Sequence, residues 1–136
     1  YAERRVPIGG ETTAAELRTE LVAIGSELLV DTLSSPLSDW IDAPQPQEGE
    51  PIYAAKLDKA EFEIDWDDPI EHIHRLIRVG GAWTTFRGKR LKINQARVVD
   101  GGLVPVAVQP EGKAAIPFDA WRNGAQPRDD ELFADS

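Results

Sequence analysis

The sequence predicts an α+β protein: one long helix near the amino terminus, an irregular connection, and a sheet-rich carboxy-terminal half. Three observations carry that reading. Apolar residues recur at helical spacing between residues 13 and 34, prolines and a glycine erase all periodicity from Ser35 to Pro51, and short alternating runs punctuated by glycine turns follow Ala82. No internal repeat is present.

The first helix rests on Leu17, Leu21, Ile24 and Leu28, whose steps of four, three and four stack on one face. Thr13 and Glu16 have capping-box spacing, in which hydroxyl and carboxylate reciprocally satisfy first-turn N–H groups. Ser34-Ser35-Pro36 ends the helix, because the proline ring fixes φ and removes a donor. Pro36, Pro44, Pro46, Gly49 and Pro51 then describe an extended linker, the best domain boundary in the chain. The expected division is 1–35 as the tail of a preceding domain, 36–51 as linker and 52–136 as a carboxy-terminal domain.

Beyond the linker, Ile52 to Leu57 reads as a strand or extended piece, and Asp58 with Glu61 can cap a short helix. Asp68-Pro69-Ile70-Glu71 predicts a clearer helix, with Asp68 as N-cap, Pro69 at the first helical position and an Ile70/Ile73/Ile77 stripe. Gly80-Gly81 closes it. Ala82–Phe86 and Lys89–Val99 flank a two-residue Arg87-Gly88 turn. Asp100-Gly101-Gly102 makes a second turn, ahead of a strand from Leu103 to Val108. Pro117 to Asn123 predicts a terminal helix, with Gly124 as its cap.

The 136 residues, 41% hydrophobic and 29% charged, suit one soluble globular domain. No apolar run approaches the ~20 residues that span a bilayer, so no membrane partner is expected. Met is absent even at position 1, as expected of a piece of a longer or processed chain. Zero Cys removes disulfides, thiolate nucleophiles and cysteine zinc sites together, and makes the cytoplasm the default location.

Catalytic chemistry finds no home in these residues. His72 and His74, two apart on a helix, diverge and cannot chelate one metal, so no metal is expected. Among Asp65, Asp67 and Asp68, capping accounts for Asp68, and solvent for the others. Neither glycine pair has phosphate-loop spacing, and Ser34, Ser35 and Ser38 lack a neighbouring base.

Charge distribution is the strongest functional signal. The net charge of −9 argues, by itself, against a nucleic-acid ligand. Yet Arg75, Arg78, Arg87, Lys89, Arg90, Lys92 and Arg97 fall in one stretch that contains no Asp or Glu. A hairpin carrying Arg87, Lys89, Arg90 and Lys92 can hold a polyphosphate; the competing use is a solvated sheet face paired with acids elsewhere. Trp83 and Phe86 lie close by, and core packing is the expectation for both, with base stacking as the alternative.

Several stretches resemble the methionyl-tRNA formyltransferase family in order and spacing. Ile52-Tyr53-Ala54-Ala55-Lys56-Leu57-Asp58-Lys59 is similar to its T-Y-A-x-K-[IL]-x-K segment. Ile64-Asp65-Trp66 with Arg75-Leu76-Ile77-Arg78 resembles I-D-W…R-x-I-R, and Gly81-Ala82-Trp83-Thr84 resembles the family's entry to its barrel. Arg90-Leu91-Lys92-Ile93 resembles the strand that follows, and Val108-Gln109-Pro110-Glu111-Gly112-Lys113 its V-Q-P-E-G-K turn. Upstream, Val6-Pro7-Ile8, the Leu17–Leu33 helix and Pro44-Gln45-Pro46-Gln47 are similar to the end of the amino-terminal domain and the linker.

The resemblance implies a small open OB-like β-barrel whose positive face holds the acceptor arm of initiator methionyl-tRNA, the expected partner. It implies tRNA contacts by Arg78, Arg87, Lys89, Arg90, Lys92 and Arg97, in a chain expected to be monomeric. It further implies formyl transfer from 10-formyltetrahydrofolate, bound with the catalytic Asn, His and Asp in a domain before Tyr1, so this piece alone is expected to be inactive. Two segments depart from the pattern. Arg78-Val79-Gly80-Gly81 omits a P-x-P stretch, and Val99-Asp100-Gly101-Gly102-Leu103 jumps across two strands, so the expected barrel is incomplete with two open edges. Sugar-amine formyltransferases, formyltetrahydrofolate dehydrogenases and non-catalytic interaction modules are the rival readings.

Overall fold

The computed structural model describes residues 2–36, 38, 44, 46, 48–128 and 131. Half of the expected linker, including Gln45 and Gln47, lies outside the described residues. The chain divides into two compact units, 1–56 and 57–136.

In the first unit, helix α1 runs Ala14–Ser34. Its start is the expected capping box: the Glu16 amide donates to Thr13 Oγ1 at 3.2 Å, and the Thr13 amide donates to Glu16 Oε2 at 2.9 Å. Four orphan N–H groups open every helix, and this exchange satisfies two of the local donors. Leu17, Ile24 and Leu28 of the expected stripe are half-buried, whereas Leu21 is exposed. Val22, Leu29, Val30 and Leu33 are exposed too, and α1 has no fully buried residue. Arg4 reaches Glu27 at 3.6 Å. Ile52 to Leu57 forms no strand, and the Ile52 and Tyr53 side chains are almost wholly exposed.

The second unit begins with a 3₁₀ turn at Ala60–Phe62, where the Asp58 amide donates to Glu61 Oε2. Helix α2 spans Ile70–Val79 and buries Ile73, His74 and Ile77. It starts one residue later than expected. Pro69 occupies the cap position without a side-chain bond, and Asp68 instead faces His72 one turn on, at 3.7 Å. Gly80 ends the helix by donating its N–H to Leu76 and Ile77 carbonyls; it and Gly81 have φ values of 94° and 103°, a conformation side chains with a Cβ resist.

Strands β1 (Trp83–Phe86), β2 (Lys89–Val99), β3 (Gly102–Pro110) and β4 (Ile116–Pro117) follow in spatial order, every neighbouring pair antiparallel. The two hairpin turns, Arg87-Gly88 and Asp100-Gly101, have positive φ at both central residues, the type that matches strand twist. Leu91 and Ile93 face inward at the period of two, and so does Ala96, three residues after Ile93. A register shift around Gln95 reconciles that odd step with a continuous ladder. Helix α3 covers Phe118–Ala125, capped by Gln126 in the left-handed region rather than by Gly124, which sits inside the last turn.

The sheet is open, as expected. One edge, β1, takes a parallel bridge between Glu63 and Trp83, and the opposite edge is two residues long and carries Pro117. Helix α2 packs on β2, and α3 on β3 and β4. The core joins Ile64, Ile73, Ile77, Leu91, Ile93, Val108 and Trp121, with Phe86 edge-on to Trp121 at 4.9 Å. Ile93 has no accessible surface, so Ile93→Ala should lower stability by about 2–5 kcal/mol through lost burial and a residual cavity. Urea unfolding measures this; a midpoint shift equivalent to under about 1 kcal/mol would place Ile93 outside the core.

Candidate nucleic-acid interface

The strand pleat decides which basic side chains share a surface. Leu91 and Ile93 point into the core, so Arg90 and Lys92 between them point away from it. Across the β1–β2 hairpin, Lys92 is opposite Trp83 and Arg90 opposite Thr85, while the buried Thr84 pairs with Leu91 on the inner face. Trp83 therefore belongs to the outer surface, contrary to the expected core packing. The corresponding expectation holds for Phe86, which packs on Trp121.

Trp83 is held there by both ends of its chemistry. Its indole N–H donates to the Lys59 carbonyl at 3.2 Å, and the Arg90 guanidinium carbon sits 4.1 Å from the ring centroid. A cation over the negative face of an indole is the favourable arrangement. Lys59, Phe62, Gly81, Trp83, Arg90 and Lys92 together line a shallow pocket of about 270 Å³. A Cβ on Gly81 would meet the Phe62 ring at 3.7 Å, in ordinary contact, so backbone conformation is what makes this position a glycine. Among the described residues, no carboxylate lies within ion-pair distance of Lys59, Lys89, Arg90, Lys92 or Arg97.

The other expected contact residues are placed differently. Lys89 stands opposite Phe86 on the inner-face side at the hairpin end, where it is exposed. Arg97 is exposed on β2 beyond the register shift, paired across the ladder with Val104. Arg78 is half-buried in the last turn of α2, where a cation meets the negative end of the helix dipole. Arg87 is committed to the protein itself. Its guanidinium donates to both Glu131 carboxylate oxygens, at 2.6 and 3.2 Å, and to the carbonyls of Ala125 and Gln126. It also stacks on Phe86 at 4.8 Å. Sequence reasoning thus grouped four hairpin cations of which two share a face. It missed Lys59 and Phe62, brought to Trp83 by the 3₁₀ turn and the Glu63 bridge.

Nothing in the described residues assembles acid–base or metal chemistry. No group of three or more His, Asp or Glu could hold a metal ion there. His72 is exposed beside Asp68 and His74 is buried among the α2 core residues. No described helix is long and apolar enough to cross a membrane.

Residues 56–103 match the model of the formyl transferase C-terminal domain. The chain is 39% identical to a methionyl-tRNA formyltransferase of Jannaschia sp. (strain CCS1), a match covering 90% of this chain and 48% of that protein. It is 43% identical to the Roseobacter denitrificans methionyl-tRNA formyltransferase, over 97% of this chain and 50% of that protein. A third, from Symbiobacterium thermophilum, is 37% identical, over 88% and 46% respectively. The chain spans about half the length of the curated relatives it matches. The Roseobacter match runs over 156 positions against 136 residues here, so the relative carries segments this chain lacks.

The Arg87–Glu131 pair has a pH signature. Hydrogen bonding from Arg87, then from the Arg128 amide, lowers the Glu131 carboxyl to about 2 from its ordinary 4.5. A folded-state value below the unfolded one makes the pair's contribution complete above pH 4.5, and lost as pH falls through about 2. The thermal-midpoint difference between the protein and its Glu131→Gln variant should therefore be constant above pH 4.5 and shrink to nothing near pH 2. A difference that ignores pH across this window would mean the pair is not ionic.

Proposed function

The chain belongs to the formyl transferase family whose C-terminal domain it matches, and from that membership we propose that it is the tRNA-holding part of a methionyl-tRNA formyltransferase. The observation that carries the reading is the outer face of the β1–β2 hairpin. Arg90 and Lys92, with Lys59 beside them, surround a half-buried indole with no described carboxylate to neutralise them. Cations so placed fix the register of a phosphate backbone without reading its bases. Arg97, exposed further along β2, and Lys89, exposed at the hairpin end on the other side of the strand, are outlying contacts in this reading. Arg78 and Arg87 contribute from the frame, Arg87 through the hairpin it anchors.

In this reading, residues 1–35 are the tail of the amino-terminal domain, 36–51 the linker and 52–136 the tRNA-holding domain. The whole protein transfers the formyl group of 10-formyltetrahydrofolate to the methionine amino group of initiator tRNA, in the cytoplasm, as a monomer. The residues present do not fit the folate's chemistry. Moving a formyl group to an amine needs a base for the departing proton, and the lining of the Trp83 pocket holds no carboxylate or imidazole to take it. The resemblance puts the cofactor and the catalytic Asn, His and Asp in the amino-terminal domain, and in this reading the residues of this chain bind and orient the RNA.

The reading is tested by reversing charge at Arg90→Glu with Lys92→Glu. Binding of tRNA should weaken, and the slope of log affinity against log salt should fall by about one unit per lost phosphate contact. An unchanged affinity across the salt series would remove the assignment.

A further inference from the structure

We infer that the Trp83 pocket is a seat for one unpaired ribonucleotide, taking its base against the indole–guanidinium stack and its phosphate on the flanking lysines. The inference rests on the RNA-holding reading and adds to it a ligand form and a place. A surface that only tracks duplex phosphates needs cations alone. This one adds two aromatic rings, Trp83 and Phe62, and encloses them with Lys59, Arg90 and Lys92. The pocket, about 270 Å³, falls just under the ~300–1,000 Å³ of sites for drug-sized ligands, so it suits a single nucleotide unit.

The state of the base follows from geometry. A base inside an A-form helix has both faces covered by its neighbours, and the deep major groove hides its edges. Only a splayed or terminal nucleotide can lay a face against a side chain. Arg90 already lies 4.1 Å from the Trp83 centroid, which leaves no room between them, so an incoming base meets the outer surface of the guanidinium. Arginine planes stack bases as aromatic rings do. The indole behind holds that plane in position, and the Lys59 carbonyl holds the indole. The order-imposing cost of binding is thus met before the ligand arrives. Recognition of this kind tolerates any base, because each has a π-face.

The test compares two RNA hairpins, one blunt and one ending in a single unpaired nucleotide, against the protein and its Trp83→Leu and Trp83→Tyr variants. The protein should prefer the overhang about tenfold, within what stacking one base is worth. Trp83→Leu should abolish the preference, and Trp83→Tyr, which keeps a ring, should retain most of it. In parallel, a nucleoside 5′-monophosphate should move the Trp83 indole N–H resonance to an end point that inorganic phosphate does not reach. That resonance is assigned by its loss in Trp83→Phe, so this arm needs no leucine variant to fold. Equal binding of the two hairpins by the unaltered protein, or a common end point for nucleotide and phosphate, overturns the inference. The backbone reading survives that failure if Arg90→Glu with Lys92→Glu still weakens tRNA binding; if that variant has no effect, both fall.

Discussion

The period of two along β2 is the constraint on which the rest depends. Successive side chains in a strand leave opposite faces, so burying Leu91 and Ile93 obliges Arg90 and Lys92 to face outward together. A slip of one residue would put two cations in the core and two aliphatics in water, at several kcal/mol each. The register is held at both ends by turns that permit no such slip. Arg87-Gly88 and Asp100-Gly101 close their hairpins with positive φ at both central residues, fixing which residues lie opposite which. The display of charge is thus set by the packing of the core, and the turns turn that packing into a single answer.

A second set of contacts positions the aromatic group among those charges. The 3₁₀ turn at Ala60–Phe62 delivers the Lys59 carbonyl to the Trp83 indole, and the Ile64 amide donates to the Trp83 carbonyl at 2.8 Å. Both ends of Trp83 are therefore tied to one short segment, which also covers part of the free edge of β1. At the hairpin tip, Arg87 joins its own backbone turn to the Ala125 and Gln126 carbonyls and to Glu131. This cation braces the hairpin and does not stand with Arg90 and Lys92 on its outer face. An exposed arginine held by four acceptors has little freedom to meet a phosphate, whereas Arg90, resting on a ring, keeps its N–H donors available.

The sequence was readable where its signals are local. Capping box, glycine stops, hairpin turns and strand alternation depend on residues within four or five of one another, and α1, the end of α2 and both hairpins appear where those signals put them. Errors of one or two residues fall at helix ends, where Pro69 rather than Asp68 and Gln126 rather than Gly124 take the cap positions. The site was less legible, for two different reasons. The outward aim of Trp83 was available from parity: positions 83 and 86 differ by three, so in a strand one of the two had to face away from the core. The same parity separates Lys89 from Arg90 and Lys92. The Arg87–Glu131 clamp, by contrast, joins residues 44 apart, and no local pattern announces it. The inward turn of Ala96 needed a bulge that composition does not reveal.

The remaining tension is between a net charge of −9 and a polyanionic ligand. Screening removes most of it. At physiological ionic strength the Debye length is about 8 Å, so a phosphate close to the hairpin responds to the charges within that reach and little to the total. The stretch from Arg75 to Arg97 contains no acid, and no described carboxylate is within ion-pair distance of Arg90 or Lys92. An acidic remainder then has a use beyond solubility. If the chain holds RNA as proposed, those acids would make contacts away from the hairpin repulsive, which is how like-charge exclusion supplies specificity that affinity alone does not. The same reasoning would let a few cations suffice in the proposed role. With competing surfaces disfavoured, the hairpin face would have to set the register of the RNA, and need not supply enough affinity to outweigh adhesion elsewhere.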